Sequence, residues 1–471
     1  MNGRNTMRTA TLTLIAAMLA GCSFAPTYER PAAPIPGNWS AASSASAASM
    51  QSLHWKDFVI DERLRSRIET ALANNRDLRQ TLLNVQTARA AYRVQRADQL
   101  PGLEAQASGN RQRLPADLSG TGAARVQSNY QAGAGLMAFE LDLFGRVSSL
   151  SEAALMEYLA TEEAARSVQI SLVAEVIQAS LAQDSARQRQ ALALCTLQAR
   201  EKELQLMSER RKTGMASRLD EQEAQGQLEQ ARAEVERFER ELRQAGNALD
   251  WLVGDGRVQP AADLSATPLV QEIGPGLSSD LLVLRPDIRS AEYQLRARNA
   301  SIGAARAAFF PRISLTGSYG SASSELSDLF AGGQRSWSFM PQLSLPIFDG
   351  GRNRANLEIA QLRKDMAVAS YERSIQTAFR EVSDALASVE TLRREELARQ
   401  RLVQTSANTL KLAELRYRAG VDSHLRYLDA QRTDYAQQMA LIEVSAQRQM
   451  ALATLFKALG GGWQASPGAQ G

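Results

Sequence analysis

The sequence predicts a mainly α chain with a smaller β part, built from two internal repeats. Three observations predict it. Arg146 to Thr213 and Arg352 to Ala419 each run 68 residues without proline or glycine. Pro101 to Gly145 and Pro311 to Gly350 switch from a helical period to a period of two. Landmarks of the first half also recur in the second at a nearly constant distance.

The 471 residues are 44% hydrophobic and 22% charged, which is not the composition of a disordered chain. Lys plus Arg is 54 and Asp plus Glu is 51, a formal charge of +3. That balance gives no basic face for a nucleic acid. After residue 21 no uncharged apolar run reaches about 18 residues, which excludes a helical membrane protein. Two cysteines and two histidines exclude a disulfide scaffold and leave no Cys/His zinc set.

Residues 1–21 read as a signal peptide. Arg4 and Arg8 precede the apolar run Thr9 to Leu19, too short to span a bilayer. Leu19-Ala20-Gly21-Cys22 places small residues before a cysteine, the pattern a lipoprotein signal peptidase needs. Cys22 is therefore the expected lipid-attachment site, carrying an S-diacylglycerol and an N-acyl chain. Together these hold more firmly than one chain alone. Ser23, rather than aspartate, favours transfer to the outer membrane. Cys195 lies in a helical pattern and reads as a packed small residue. Residues 22–54 form the tether, with Pro26, Pro31, Pro34 and Pro36 and then an Ala/Ser tract.

The first repeat is expected over 55–255, a linker over 256–280, the second repeat over 281–460 and a tail over 461–471. Leu100-Pro101-Gly102-Leu103 corresponds to Phe310-Pro311-Arg312-Ile313, Arg146 to Arg352, and Gly214 to Gly420, at offsets of 210, 206 and 206. Pro260, Pro268 and Gly274-Pro275-Gly276 mark the linker. Each repeat reads as helix, two strands, a very long helix, a turn and another helix. At about 1.5 Å per residue each long helix reaches roughly 100 Å. Ala165, Val168, Leu172, Val176 and Ala179, and Ile375, Phe379, Val382, Leu386 and Val389, recur at coiled-coil spacing. Such helices must pack along others.

In the β regions Ile313, Leu315, Gly317 and Tyr319 alternate with Ser314, Thr316, Ser318 and Gly320. Trp337, Phe339, Leu343, Leu345 and Ile347 alternate with Ser338, Gln342 and Ser344. Met137, Phe139, Leu141 and Leu143 alternate with Ala138, Glu140 and Asp142. One apolar and one polar face suit an outer-membrane strand or a soluble two-sided sheet. Four strands cannot close a barrel, since single-chain barrels begin at about eight. Either the sheet is soluble, or several subunits share one barrel.

The string Leu284-Arg285-Pro286-Asp287-Ile288-Arg289, then Ala291-Glu292, then Asn299 to Pro311, is long and specific. With Phe139 to Arg146 and Asp429-Ala430-Gln431-Arg432 it resembles the outer-membrane efflux lipoproteins of the TolC/OprM type, in their NodT-like branch, over Cys22 to about Leu459. The resemblance implies a homotrimer. Each subunit would give four strands to one 12-stranded β-barrel, continued by a long periplasmic α-helical barrel. It implies a periplasmic adaptor and an inner-membrane RND-type pump as partners, and outer-membrane lipid around the strands. The expected function is a passive, iris-gated exit duct for drugs or other toxic small molecules. No enzymatic activity and no cofactor beyond the lipid on Cys22 are expected. Leu114 to Ala124 and Leu326 to Gln334 become the outward loops.

The helix turns carry the candidate sites. Gly214 and Gly420 fit left-handed helix ends. Ser217-Arg218-Leu219-Asp220 reads as a capping box, whereas Ser423-His424-Leu425-Arg426 has arginine in place of the acid. The resemblance makes Gly214, Ser217, Gly420 and Ser423 the adaptor-contact tip and Leu425 and Asp429 the pore gate. It makes Tyr417, Arg418 and Arg432 closed-state latches, with Asp220 and Glu223 as candidate partners. Around a threefold axis Asp429 would form an acidic ring favouring cations. Relatives with a second acid one turn earlier differ here, where Arg426 stands. An exit duct for type I protein secretion is the alternative with the same fold. A periplasmic adaptor would show one hairpin between β domains, and a cytosolic scaffold would lack Cys22 and its signal.

Overall fold

A computed structural model describes residues 24–35, 54–120, 122–257, 270 and 285–461. The expected signal peptide, Cys22, the Ala/Ser tract, nearly all of the linker and the tail from 462 lie outside the described residues. Elements follow in the order α1 (Trp55–Phe58), α2 (Glu62–Asn74), α3 (Arg76–Ala97), β1 (Leu103–Leu114), β2 (Arg125–Leu141), α4 (Arg146–Lys212) and α5 (Arg218–Val253). Then come α6 (Pro286–Ala307), β3 (Arg312–Ser323), a 3₁₀ turn (Leu326–Asp328), β4 (Arg335–Ser344), α7 (Arg352–Arg418) and α8 (His424–Ala458). The expected order of helix, two strands, long helix and second helix thus occurs twice. Helices α4 and α7 have 67 residues each, one fewer than the proline- and glycine-free runs.

The chain forms two compact units, and neither is a repeat. Both draw on both halves of the sequence. The first unit holds the sheet, the near ends of α4 and α7, most of α6 and the segment 24–32. Its four strands run antiparallel in the order β1-β2-β3-β4. The register puts Leu103, Leu136, Gly317 and Phe339 in one row and Ala105, Ala134, Tyr319 and Trp337 in the next. These belong to the apolar face. Glu104, Gln106, Ser108, Gln127, Asn129, Ser314, Thr316 and Ser338 share the opposite face, by the period of two.

The alternation fails at one place. A bulge between Leu136 and Phe139 removes Met137 and Ala138 from the ladder, and Ala138 takes φ +46°. The apolar row of β2 therefore runs Leu136, Phe139, Leu141, and Met137, expected in that row, is not part of it. Leu143, Leu345 and Ile347 lie beyond the strand ends. Strands β2 and β3 approach closely at the facing pair Gly133 and Gly320. A Cβ on Gly320 would stand 2.2 Å from the Ala132 carbonyl oxygen.

Part of the expected tether is docked in this unit. Phe24 stacks on Phe310 with centroids 4.5 Å apart, and Phe310 stacks on Phe144 at 5.0 Å. Glu292 accepts from Arg30 at 2.8 Å, from Arg296 at 2.6 Å and from the Tyr28 hydroxyl at 3.3 Å. Burial pushes the Glu292 carboxyl up. The bonds from Arg296 and Arg30 outweigh it and hold the group below its usual range. Gly303 leaves room for this segment, since a Cβ there would meet the Ala25 nitrogen at 2.8 Å.

The second unit holds the main core. Trp55, Phe58, Val59, Leu64, Ile68 and Leu78 pack with Leu172, Val176 and Ile177 of α4, Leu249 and Val253 of α5, and Leu452, Leu455 and Phe456 of α8. Phe58 and Phe456 stack face to face at 4.4 Å. Asp61 caps α2 through the Leu64 N–H at 2.8 Å, and buried Asn75 donates to the Leu252 carbonyl at 2.9 Å. Arg285, from the string that carries the resemblance, is buried. It donates to Asp287 at 2.7 and 3.0 Å, to Glu381 at 2.8 Å and to the Ala458 carbonyl at 2.6 Å. It fastens the start of α6 to the end of α8.

Candidate functional site at the helix turns

The site lies wholly in the second unit, where α4 turns into α5 and α7 into α8. The two long helices end alike. The Met215 N–H donates to the Arg210 carbonyl at 2.8 Å and the Gly214 N–H to the Arg211 carbonyl at 3.0 Å. In the second copy the Val421 N–H donates to the Arg416 carbonyl at 2.9 Å and the Gly420 N–H to the Tyr417 carbonyl at 3.0 Å. This closure satisfies the last carbonyls and requires one left-handed residue. Gly214 and Gly420, at φ +77° and +70°, supply it.

The restarts differ. The Asp220 N–H donates to the Ser217 hydroxyl at 3.1 Å, and the Ser217 N–H to the Asp220 carboxylate at 2.7 Å. These two bonds hold the Asp220 carboxyl below its ordinary range. Ser423 caps α8 by position alone, with no side-chain bond. The turn before it is held instead by Arg416, which donates to Asp422 at 2.7 and 3.0 Å. Arg426 stands 3.8 Å from the same Asp422.

Polar and aromatic contacts join the two hairpins. Arg210 of α4 donates to the Tyr417 hydroxyl at 2.7 Å, and its guanidinium lies over the same ring. Tyr417 stacks on Tyr427 at 5.6 Å and meets His424 at 5.1 Å. The His424 ring nitrogen Nε2 lies 3.1 Å from Glu203 Oε1, with both side chains nearly buried. Arg200 donates to the other Glu203 oxygen at 2.7 Å and also to Gln431 of α8. Burial pushes the Glu203 carboxyl up. The bonds from His424 and Arg200 outweigh this and hold it below its usual range. Further along, the Tyr435 hydroxyl donates to Glu234 of α5 at 2.7 Å. Burial and that carboxylate push the Tyr435 phenol well above its usual value.

Of the five expected latch residues, Tyr417 alone joins the hairpins within one chain, and its partner is Arg210. Asp220 and Glu223 do not meet it. Asp220 is held in its capping box, and exposed Glu223 has no side-chain partner among the described residues. Arg418 pairs with Glu414 at 2.5 Å and Arg432 with Asp429, each on its own helix. Neighbours three or four residues apart on a helix are simply nearer than the other hairpin. Leu425 and Asp429 lie one turn apart on α8, and both are exposed. Glu203, Arg200, Arg210, His424 and Tyr427 carry the junction, and sequence reasoning missed their pairing. The available signal is the departure between copies. Tyr417 and His424 stand where the first repeat has Arg211 and Arg218. Among the described residues no cluster of His, Cys, Asp or Glu has the makings of a metal site, and no helix is long and apolar enough to cross a membrane.

Comparison with known proteins gives one answer. The family profile described as outer membrane efflux protein matches residues 67–255 and 277–461. The chain is 59% identical over 454 residues to outer membrane protein OprJ of Pseudomonas aeruginosa, covering 96% of this chain and 95% of that one. It is 44% identical over 466 residues to the toluene efflux pump outer membrane protein TtgC of Pseudomonas putida, covering 97% and 96%. A crystal structure of a membrane protein from Pseudomonas aeruginosa superposes with a TM-score of 0.89 at 57% identity, covering 94% of this chain and 98% of that one. The open state of the Neisseria gonorrhoeae MtrE outer membrane channel gives 0.84 at 38% identity, covering 94% and 98%.

Proposed function

The chain belongs to the outer membrane efflux protein family, and we propose that it works as the homotrimeric exit channel of a tripartite efflux pump. It is an efflux protein of the outer membrane, with its strands in the bilayer and its long helices in the periplasm. The observation that carries the trimer is the sheet. Its β1 and β4 edges have no strand partner among the described residues, and one face is apolar from the helix end through its aromatic rows. An open edge in lipid leaves unsatisfied backbone groups, and pairing β4 of one copy with β1 of the next removes both edges. Three copies give twelve strands. Ile359, Leu362 and Met366, an apolar row on α7, are exposed in the single chain and suit a neighbouring copy.

The duct is passive. Energy and cargo choice lie with an inner-membrane pump of the RND type, linked through a periplasmic adaptor that meets the turns at Gly214, Ser217, Gly420 and Ser423. Small toxic organic compounds are the proposed cargo, in keeping with a relative named for a toluene pump. Cys22 carries the lipid anchor. Leu425 and Asp429 line the narrowest point, and the Arg210–Tyr417 and Glu203–His424 contacts hold the second hairpin against the first. Adaptor binding shifts that hairpin outward, a population shift between two packings.

Single-channel recording of the purified, lipidated protein in a planar bilayer tests the reading, with Asp429→Ala alongside. Small flickering cation-preferring currents that grow or lose selectivity in the variant are expected. Stable currents unchanged by Asp429→Ala place the gate elsewhere. Inserted trimers that never conduct, even when the Arg210–Tyr417 contact is removed, overturn the duct.

A further inference from the structure

The apolar face of the sheet does not end in apolar residues. Read from the helix end outward, it runs Leu343, Pro341, Phe339, Trp337 and then Arg335 on β4. On β1 it runs Leu103, Ala105, Ala107, Gly109 and then Arg111 and Arg113. Tyr319 on β3 and Tyr130 on β2 share this face, the Tyr130 ring lying against Gly109. The order is thus apolar, then aromatic, then cationic. That sequence matches a strand leaving the hydrocarbon, crossing the interface and entering the headgroups.

Three features make the cations more than a boundary mark. No Asp or Glu lies on this face of any strand. Arg111, Arg113 and Arg335 are exposed, and none has an ion pair or side-chain hydrogen bond among the described residues. The three also sit on the two edge strands. In the closed trimer proposed above, on which this inference rests, β4 of one copy lies beside β1 of the next. Arg335 then joins Arg111 and Arg113 of its neighbour, giving a cationic group at each of three seams. Guanidinium groups match phosphate geometry in two bonds at once.

We propose that each seam binds the phosphate groups of a phosphorylated lipid in the outer leaflet, with its acyl chains against the aromatic and apolar rows below. Arg125 provides an internal control. It lies at the same outer end but is paired with Leu114 on the polar face, away from lipid.

The test is native mass spectrometry of the full-length, lipidated trimer equilibrated with bisphosphorylated lipid A, with phosphatidylethanolamine and inorganic phosphate as separate probes. The parent is expected to retain lipid A about tenfold more tightly than phosphatidylethanolamine. The R111Q/R113Q/R335Q variant is expected to lose that preference, and R125Q to keep it. A triple variant that binds like the parent overturns the proposal, as does equal loss in R125Q. Displacement of the lipid by equimolar inorganic phosphate also overturns it, because the site would then be a free-anion site. If the triple variant does not assemble, the three single variants are read, each expected to weaken retention about twofold. Singles that hold lipid A like the parent overturn the proposal. Conductance of the same preparations separates the two readings. A conducting trimer without lipid A preference defeats this inference alone, whereas absence of a trimer in the parent defeats the channel reading beneath it.

Discussion

Replacing Tyr417 by phenylalanine removes one hydroxyl and little else. The ring keeps its stack on Tyr427 and its contact with His424, and the 2.7 Å bond from Arg210 is lost. A hydrogen bond with a charged partner contributes about 1.5–3 kcal/mol. Tyr417 is half-buried, so solvent screening brings the contribution below that range, to about 1 kcal/mol per copy. Three copies opening together add to about 3 kcal/mol. At tenfold per 1.4 kcal/mol, the ratio of open to closed channels rises about 100-fold. Planar-bilayer recording measures it as open-time fraction. Arg210→Met should give at least that shift, since it also takes the guanidinium from over the ring, and the double variant no more than Arg210→Met alone, because a single bond cannot be lost twice. Wild-type gating in an intact Tyr417→Phe trimer would refute the reasoning, as would additive effects in the double variant.

Three further outcomes follow from the same structure. Gly320→Ala sets a methyl group against the Ala132 carbonyl at a 2.2 Å approach and should split β2 from β3. Heat-stable trimers on detergent gels should then be lost, while the helical signal in circular dichroism persists. Arg285→Met leaves the Ala458 carbonyl and the Glu381 and Asp287 carboxylates without their shared donor. Because both carboxylates are more than a third exposed and regain water, it should cost about 1–3 kcal/mol, read as a lower denaturation midpoint in urea. Asp220 is held below the ordinary carboxylate range, so its capping box is at full strength above pH about 4 and is lost as pH falls through the lowered value. Protection of the Ser217 and Asp220 amides from exchange, relative to their intrinsic rates, should fall below that point, and Asp220→Asn should abolish the dependence.

The long arms and their turns were legible because periodicity, the absence of proline and glycine, and Gly214 and Gly420 are local signals. The two faces of the sheet were legible for the same reason. The bulge was not. Residues Met137 and Ala138 fit an alternating row as well as any others, and only pairing with Thr316 and Leu315 on β3 reveals the slip. Docking of Phe24 to Arg30 was also hidden, because prolines suggest a loose segment while Glu292 and Phe310 lie more than 250 residues away. The junction at the turns failed to appear for a related reason. The acids near the first turn, Asp220 and Glu223, are the partners the sequence suggests for Tyr417. The actual partner is a cation on the preceding helix, whose facing depends on how four helices pack.

Helices α4 and α7 are equal in length, and the far end of α4 is buttoned to the end of α7 by Arg210–Tyr417 and to the start of α8 by Glu203–His424. Losing one residue from α4 alone would rotate everything beyond it by about 100°, turning Arg210 and Glu203 away from their partners. Losing seven would restore the facing but withdraw that turn by about 10 Å, leaving Tyr417 opposite nothing. The two arms are thus free to change length only in matched steps of whole heptads. The two repeats are therefore bound to change in parallel.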